Sequence, residues 1–211
     1  MRAGIIGLLA LLLTATACVA PTAAEPAPDN SALPQSVRGN AYVLGNPNAP
    51  VTVEEYADYQ CTACGQFTRS VLPQLRKNYV ETGKVRIIWR DFPWIGSESV
   101  EAAQAARCAG AQGHFWDYHD YLYAHQRGEN RGQFSKDNLK RFAGDIHLDT
   151  AGFGQCLDAG ADLQQLRDLA RSVPAKGMRG TPSFTINGRL FVSATYDQFS
   201  RAIDTQLARG G

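Results

Sequence analysis

In Gln60–Phe67, QCTACGQF, two cysteines stand at C-x-x-C spacing. Such a pair can exchange a disulfide with another protein, supply half of a tetrahedral metal site, or close a small structural bridge. The metal reading needs further ligands, and the sequence offers few. No second C-x-x-C follows, and His147 stands alone. His114 and His119 have nominal finger spacing, yet five residues along a helix put them on different sides; His125 follows six later. Met1 and Met178 are the only methionines, so a thioether-rich copper site is not on offer. The surroundings of the pair favour exchange.

Those surroundings read as a strand and a helix. Val51–Ala57, VTVEEYA, alternates with Val51, Val53 and Glu55 on one face and is rich in β-branched residues. From about Thr62 to Val80, Val71, Leu72, Leu75 and Tyr79 recur at near-helical spacing, with a kink expected at Pro73 and a stop at Gly83. Lys84–Arg90, KVRIIWR, returns to strand and completes a parallel, right-handed βαβ unit. Cys61 therefore falls where a strand ends and a helix begins. Unpaired N–H groups and the helix dipole favour an anion there, so Cys61 is expected to have a lowered pKa and to attack. Cys64, one turn on, would resolve the mixed disulfide. Glu55, on the buried face of the strand, is a candidate for moving the Cys64 proton, with its own pKa raised by burial. A shift of one residue in register would bury Glu54 instead.

Further along, Ser97 is expected to cap a helix that Gly110 and Gly113 break. A second helix covers about His114–Gln126, shorter ones Asn138–Phe142 and Ala151–Leu157, and Leu163, Leu166, Ala170 and Val173 outline another ending near Pro174. Asn187-Gly188 between two β-rich runs signals a hairpin. Thr195 to Gln198 reads as a capping box for a last helix striped by Tyr196, Phe199, Ile203 and Leu207. The order β-α-β, helical block, β-β-α gives an α/β fold with a mixed sheet and a large helical insertion at about 96–178.

Composition narrows the function classes. The chain has 211 residues, 44% of them hydrophobic, and 21 Lys and Arg against 20 Asp and Glu. That balance allows a real core and lacks the basic excess of a nucleic-acid binder. Residues 1–17 read as a signal peptide: a positive start at Arg2, the short apolar run Ile5–Leu13, and the small-x-small site Ala15-Thr16-Ala17. The uncharged stretch Ala3–Ala20 also admits an uncleaved anchor. Cleavage would leave Cys18 first, and TATAC resembles a bacterial lipobox with Ala where Leu is usual. Lipidation at Cys18, tethering the chain to a membrane, and ordinary cleavage nearby both remain open. Residues 18–40 form a Pro/Ala-rich linker, and the folded domain covers 41–211. Export means an oxidising compartment. Of the five cysteines, counting leaves Cys108 and Cys156 as a second pair, with two free buried thiols as the alternative. A bridge closing about 49 residues would stabilise by roughly 4 kcal/mol.

Three stretches taken together, VTVEEYADYQCTAC, AARCAGAQGHFWDYHDYLYAHQ and GTPSFTINGRLFVS, resemble the DsbA-like thioredoxin superfamily, in its BdbD-like branch of exported thiol:disulfide oxidoreductases. The resemblance runs over most of Asn40–Ala208. It implies a thioredoxin fold with a helical insertion, Cys61 as nucleophile and Cys64 as resolving thiol. It also implies a cis peptide at Thr181–Pro182 packed against the disulfide in the substrate groove, and Glu55 as the family's buried acidic residue. Some members carry a second disulfide, which fits Cys108 and Cys156. The dipeptide Thr62-Ala63 departs from the Pro-His or Pro-Phe of better-known members, which leaves the direction of electron flow open.

The expectation is an enzyme in the periplasm or on the extracytoplasmic face of a membrane. It introduces disulfides into reduced or misfolded exported proteins and is recycled by a membrane redox partner. No cofactor or metal is implied, because the cysteines carry the electrons, and no nucleic acid. A reductase or isomerase of the same fold, and a non-catalytic binding domain with a fixed Cys61–Cys64 bridge, are the alternatives.

Overall fold

The computed structural model describes Met1, residues 42–192 and residues 195–210. The readings of a signal peptide, a lipidated Cys18 and a linker fall outside the described residues. Among the described residues, no helix is long and apolar enough to cross a membrane.

A mixed sheet carries the site. Strand β2 (Val51–Ala57) lies at its centre and runs parallel to β3 (Val85–Asp91), with Val51 opposite Val85 and Glu55 opposite Trp89. Outside β3, the short β1 (Val43–Leu44) pairs antiparallel. On the other side β4 (Ser183–Ile186) pairs antiparallel with β2, and β5 (Arg189–Phe191) with β4, giving the order β1-β3-β2-β4-β5. Asn187 and Gly188 both have positive φ, +48° and +76°, and make the two-residue turn between β4 and β5. That backbone matches the twist of the flanking strands, which is why Asn-Gly is the favoured pair there.

The helix after β2 breaks at Val71, two residues before the expected kink. It divides into α1 (Thr62–Ser70), α2 (Leu72–Leu75) and a π-helical turn, Arg76–Val80. Pro73 sits in the first turn of α2, where its missing N–H would have no partner in any case. Helix α3 (Ser97–Ala111) also differs from expectation. Gly96 occupies the cap, Ser97 is the first helical residue, and the helix runs through Gly110. Fully buried Ala102, Ala105, Ala106 and Ala109 pack α3 into the core, and that packing outweighs the cost of about 1 kcal/mol for a helical glycine. The block continues through α4 (Phe115–Ala124), α5 (Lys136–Asp145), α6 (Thr150–Ala159), α7 (Leu163–Ser172) and a 3-10 turn, Val173–Lys176. Helix α8 (Tyr196–Gly210) follows the hairpin, with the Thr195 and Gln198 side chains hydrogen-bonded to each other at 2.8 Å.

Aromatic contacts join these layers. Phe67 of α1, Phe184 of β4 and Phe199 of α8 meet with ring centroids 4.7–5.5 Å apart. A smaller cluster of Tyr56, Phe92, Val173 and Met178 explains why Tyr56 is buried despite its place in the alternation. Cys108 of α3 is bonded to Cys156 of α6. Arg107, beside it, donates to Asp91 of β3 at 2.9 and 3.0 Å and reaches Asp162 and Gln165 at the start of α7.

Candidate active site

Cys61 is the N-cap of α1. Its N–H donates to the Asp58 carbonyl at 3.0 Å, and its own carbonyl accepts from Gly65 at 3.1 Å. Cys64 lies in the first turn and is fully buried, whereas Cys61 keeps 8% exposure; both are free thiols. The Thr181–Pro182 peptide is cis, and the Cys61 thiol donates to the Thr181 carbonyl at 3.2 Å. The structure thus brings Cys61, Cys64, Thr181 and Pro182 together across residues more than a hundred positions apart.

The two thiols differ in electrostatics. Contact with the Cys64 thiol, with the Thr181 side chain and with the N–H groups of Cys64 and Ala63 outweighs burial and brings Cys61 down from 9.0 to about 6. Burial pushes Cys64 far up, and the neighbouring Cys61 adds to the effect. At neutral pH, Cys61 is mostly thiolate and Cys64 is a thiol. This is the asymmetry needed for one exposed attacking sulfur and one protected resolving sulfur.

Glu55 faces inward, as the alternation predicts. It sits in a row across the sheet, Trp89–Glu55–Phe184–Phe191, and is fully buried. Neither carboxyl oxygen has a hydrogen-bond partner among the described residues. Burial raises its pKa to about 8; Arg76 opposes the rise, while Asp120 and Cys61 add to it. A neutral carboxyl is the state such surroundings favour at pH 7. Glu54, on the other face, pairs with Arg90 at 2.7 Å and accepts from Thr185.

Several residues around the sulfurs escape sequence reasoning. Asp58 accepts the N–H of Gln60, Trp94 and Ile95 and the hydroxyl of Ser99. Its place three residues before Cys61, bonding two residues on, is an Asx turn, and that local signal is present in the sequence. Gln60 donates to Ser99 and accepts from the Asn130 N–H. Gln126 donates to the carbonyls of Tyr59 and Cys61 at 2.8 and 2.9 Å. It comes this close because residue 65 is glycine; a Cβ there would run into Gln126 Oε1. Deeper in, Arg76 donates twice to Asp120, which also bonds His119 at 2.8 Å; all three are buried. The rings of Trp89, Trp116 and Tyr123 surround His119 at 4.8–5.0 Å. His119 is thus set among core aromatics, and nothing in its local sequence shows that.

A cleft of about 570 Å³ opens beside Pro182, between the loop 177–183 and the strand end Leu190–Val192. Leu190 and Val192 are exposed at its rim.

A family profile described as Thioredoxin matches residues 38–205. The chain belongs to the thioredoxin family. Within it, the chain is a DsbA-like thiol:disulfide oxidoreductase. It is 30% identical over 172 residues to the probable disulfide bond formation protein D of Bacillus cereus, covering 79% of this chain and 78% of that protein. It is 37% identical over 153 residues to the Na(+)/H(+) antiporter NhaA 3 of Salinispora tropica, covering 70% of this chain but 22% of the antiporter's length. In fold it is similar to oxidised BdbD from Bacillus subtilis, with a TM-score of 0.73, 24% identity, and coverage of 80% of this chain and 94% of that one. The mixed sheet with a helical insertion, expected from the order of elements, and the thioredoxin fold that the resemblance implies are the ones observed.

Proposed function

We propose that this DsbA-like protein is exported and oxidises cysteine pairs in folding proteins, using the Cys61–Cys64 disulfide. A substrate thiolate attacks Cys61 Sγ, the more exposed sulfur, and the Cys64 sulfur leaves. Glu55, neutral at pH 7, is the proton source for the departing Cys64 thiolate. A second substrate thiolate then attacks the substrate sulfur of the mixed disulfide and releases Cys61. Two electrons pass from the substrate dithiol to the cysteine pair, and a membrane redox partner removes them. A domain at the extracytoplasmic face of a membrane, tethered through Cys18 or released by cleavage before it, suits this role. The name of the Bacillus cereus relative supports the same direction of flow.

The observation that carries the reading is the placement of the partly exposed Cys61 at the N-cap of α1, beside the fully buried Cys64 and the cis Thr181–Pro182 peptide. A Cys61 thiol brought down to about 6 agrees with it. A thiolate stabilised in the reduced state makes the disulfide oxidising, and Cys61 is a good leaving group in the second step. Two measurements test this. Refolding of a reduced, disulfide-requiring substrate is expected to be accelerated by the wild type and not by Cys61→Ser. Equilibration with glutathione should give a potential nearer the roughly −120 mV of a strong oxidant than the roughly −270 mV of a reductase. Equal rates for the two proteins, or a potential at the reducing end, would overturn the assignment.

A further inference from the structure

A second cavity, of about 560 Å³, opens away from the redox site, and none of Cys61, Cys64 and Pro182 lines it. Glu54 and Tyr56 of β2 and Arg90 of β3 contribute to it, and the two β2 residues alternate with the inward-facing Glu55. Leu169 of α7, Val173 and the ring of Tyr42 add apolar surface. Tyr56 and Arg90 are cross-strand partners, and Lys176 Nζ lies 5.5 Å from the centre of the Tyr56 ring. Two cationic side chains therefore stand beside one aromatic ring at the cavity.

The hydrogen-bonding groups of the cavity are unevenly used. Both of its carboxylates are occupied: Glu54 accepts from Arg90 and Thr185, and Asp91 accepts from Trp89 and Arg107. The remaining Arg107 nitrogen goes to Asp162 and Gln165. Donors are left over. Among the described residues, Lys176 makes no hydrogen bond or ion pair, the Tyr42 hydroxyl has no hydrogen-bond partner, and Arg90 gives Glu54 only Nε and Nη2. Spent acceptors beside an unspent ammonium, guanidinium edge and hydroxyl offer bonds to an anion. The volume falls within the roughly 300–1,000 Å³ of small-molecule sites. We propose that this cavity binds a small organic carboxylate with a flat apolar body. The carboxylate takes Lys176 and Arg90, and the body lies against Leu169, Val173 and the tyrosine rings. An inorganic anion would leave that apolar surface unused.

Naphthoate is the probe, titrated into the oxidised protein near neutral pH and followed by the backbone amide resonances of Tyr56 and Lys176. Saturable binding is expected, with a Kd of about 1 mM or tighter. Naphthamide has the same body without the charge and should bind roughly tenfold more weakly. Lys176→Met keeps the aliphatic stem and removes the ammonium. It should weaken naphthoate about fivefold and leave naphthamide where it was. Lys176 is exposed, so the thermal midpoint of the variant should match that of the wild type. Val192→Ser alters the separate cleft beside Pro182 and should leave naphthoate binding unchanged. Absence of saturable binding, or equal affinities for naphthoate and naphthamide, would overturn the proposal. So would an unmoved naphthoate affinity in Lys176→Met, or a loss in Val192→Ser that puts the probe in the other cleft.

Discussion

Ser99 donates its hydroxyl to the Asp58 carboxylate at 2.7 Å, and through that bond the first turn of α3 is fastened to the segment ending in Cys61. The same carboxylate receives Gln60 at 2.8 Å and the N–H groups of Trp94 and Ile95. Burial raises the pKa of Asp58, and these hydrogen bonds, Ser99 first, act against the rise. One side chain therefore fixes the strand end, the helix cap and the β3–α3 connection together.

Asp58→Asn tests that role. It replaces one accepting oxygen by an NH₂ group that faces existing donors. Loss of charge-assisted bonds in a buried setting should cost about 3 kcal/mol, read by urea unfolding of the oxidised protein. A change within about 0.5 kcal/mol, the range of an ordinary surface substitution, would mean that the carboxylate is not a structural hub.

Glu55 makes stability depend on pH. Its folded pKa, about 8, lies above the 4.5 of an ordinary glutamate. Between these values the folded chain holds a proton that the unfolded chain has released, so stability falls as pH rises through the window and levels above it. Glu55→Gln removes that dependence. In the oxidised protein, where the cysteines do not titrate, the variant should be the more stable at pH 8 by up to roughly 4 kcal/mol. The two proteins should converge near pH 4. Parallel stability profiles from pH 4 to 8 would show that Glu55 ionises without penalty.

The bond between Cys108 and Cys156 closes a long loop, with a sequence separation of 48. Replacing both by alanine should lower stability by about 4 kcal/mol, chiefly through the unfolded chain. The Cys61 titration should stay where it is, because this bond joins α3 to α6 and touches neither active thiol. A moved titration midpoint would reveal a coupling between the two cysteine pairs.

Much of the scaffold is legible in the sequence because local signals and tertiary demands agree there. The alternation in Val51–Ala57 places Glu55 inward, and Asn187-Gly188 marks the hairpin. The failures have identifiable causes. Gly110 is read as a helix stop because propensity is local, whereas the alanine face of α3 is held by the core. β1 is two residues long, too short for any period to show. Of the residues around the sulfurs, Cys61 and Cys64 announce themselves by spacing and by their position at a strand–helix junction. Trp94, Gln126 and Asn130 do not, because each reaches the site from a different part of the chain. Their contacts with residues 58–61 and 181 exist only in three dimensions.

The glutamine ties have a consequence for anyone recombining this fold. Gln126 holds the carbonyls of Tyr59 and Cys61, and Gln60 is held by Ser99 and Asn130. The helical block and the redox turn are stitched along a shared seam. A chimaera that grafts residues 97–176 from a relative would have to bring matching partners for residues 58–61, including a side chain that fits against the glycine retained at 65. Cut at the strand ends alone, it would inherit a foreign wall around its own cysteines.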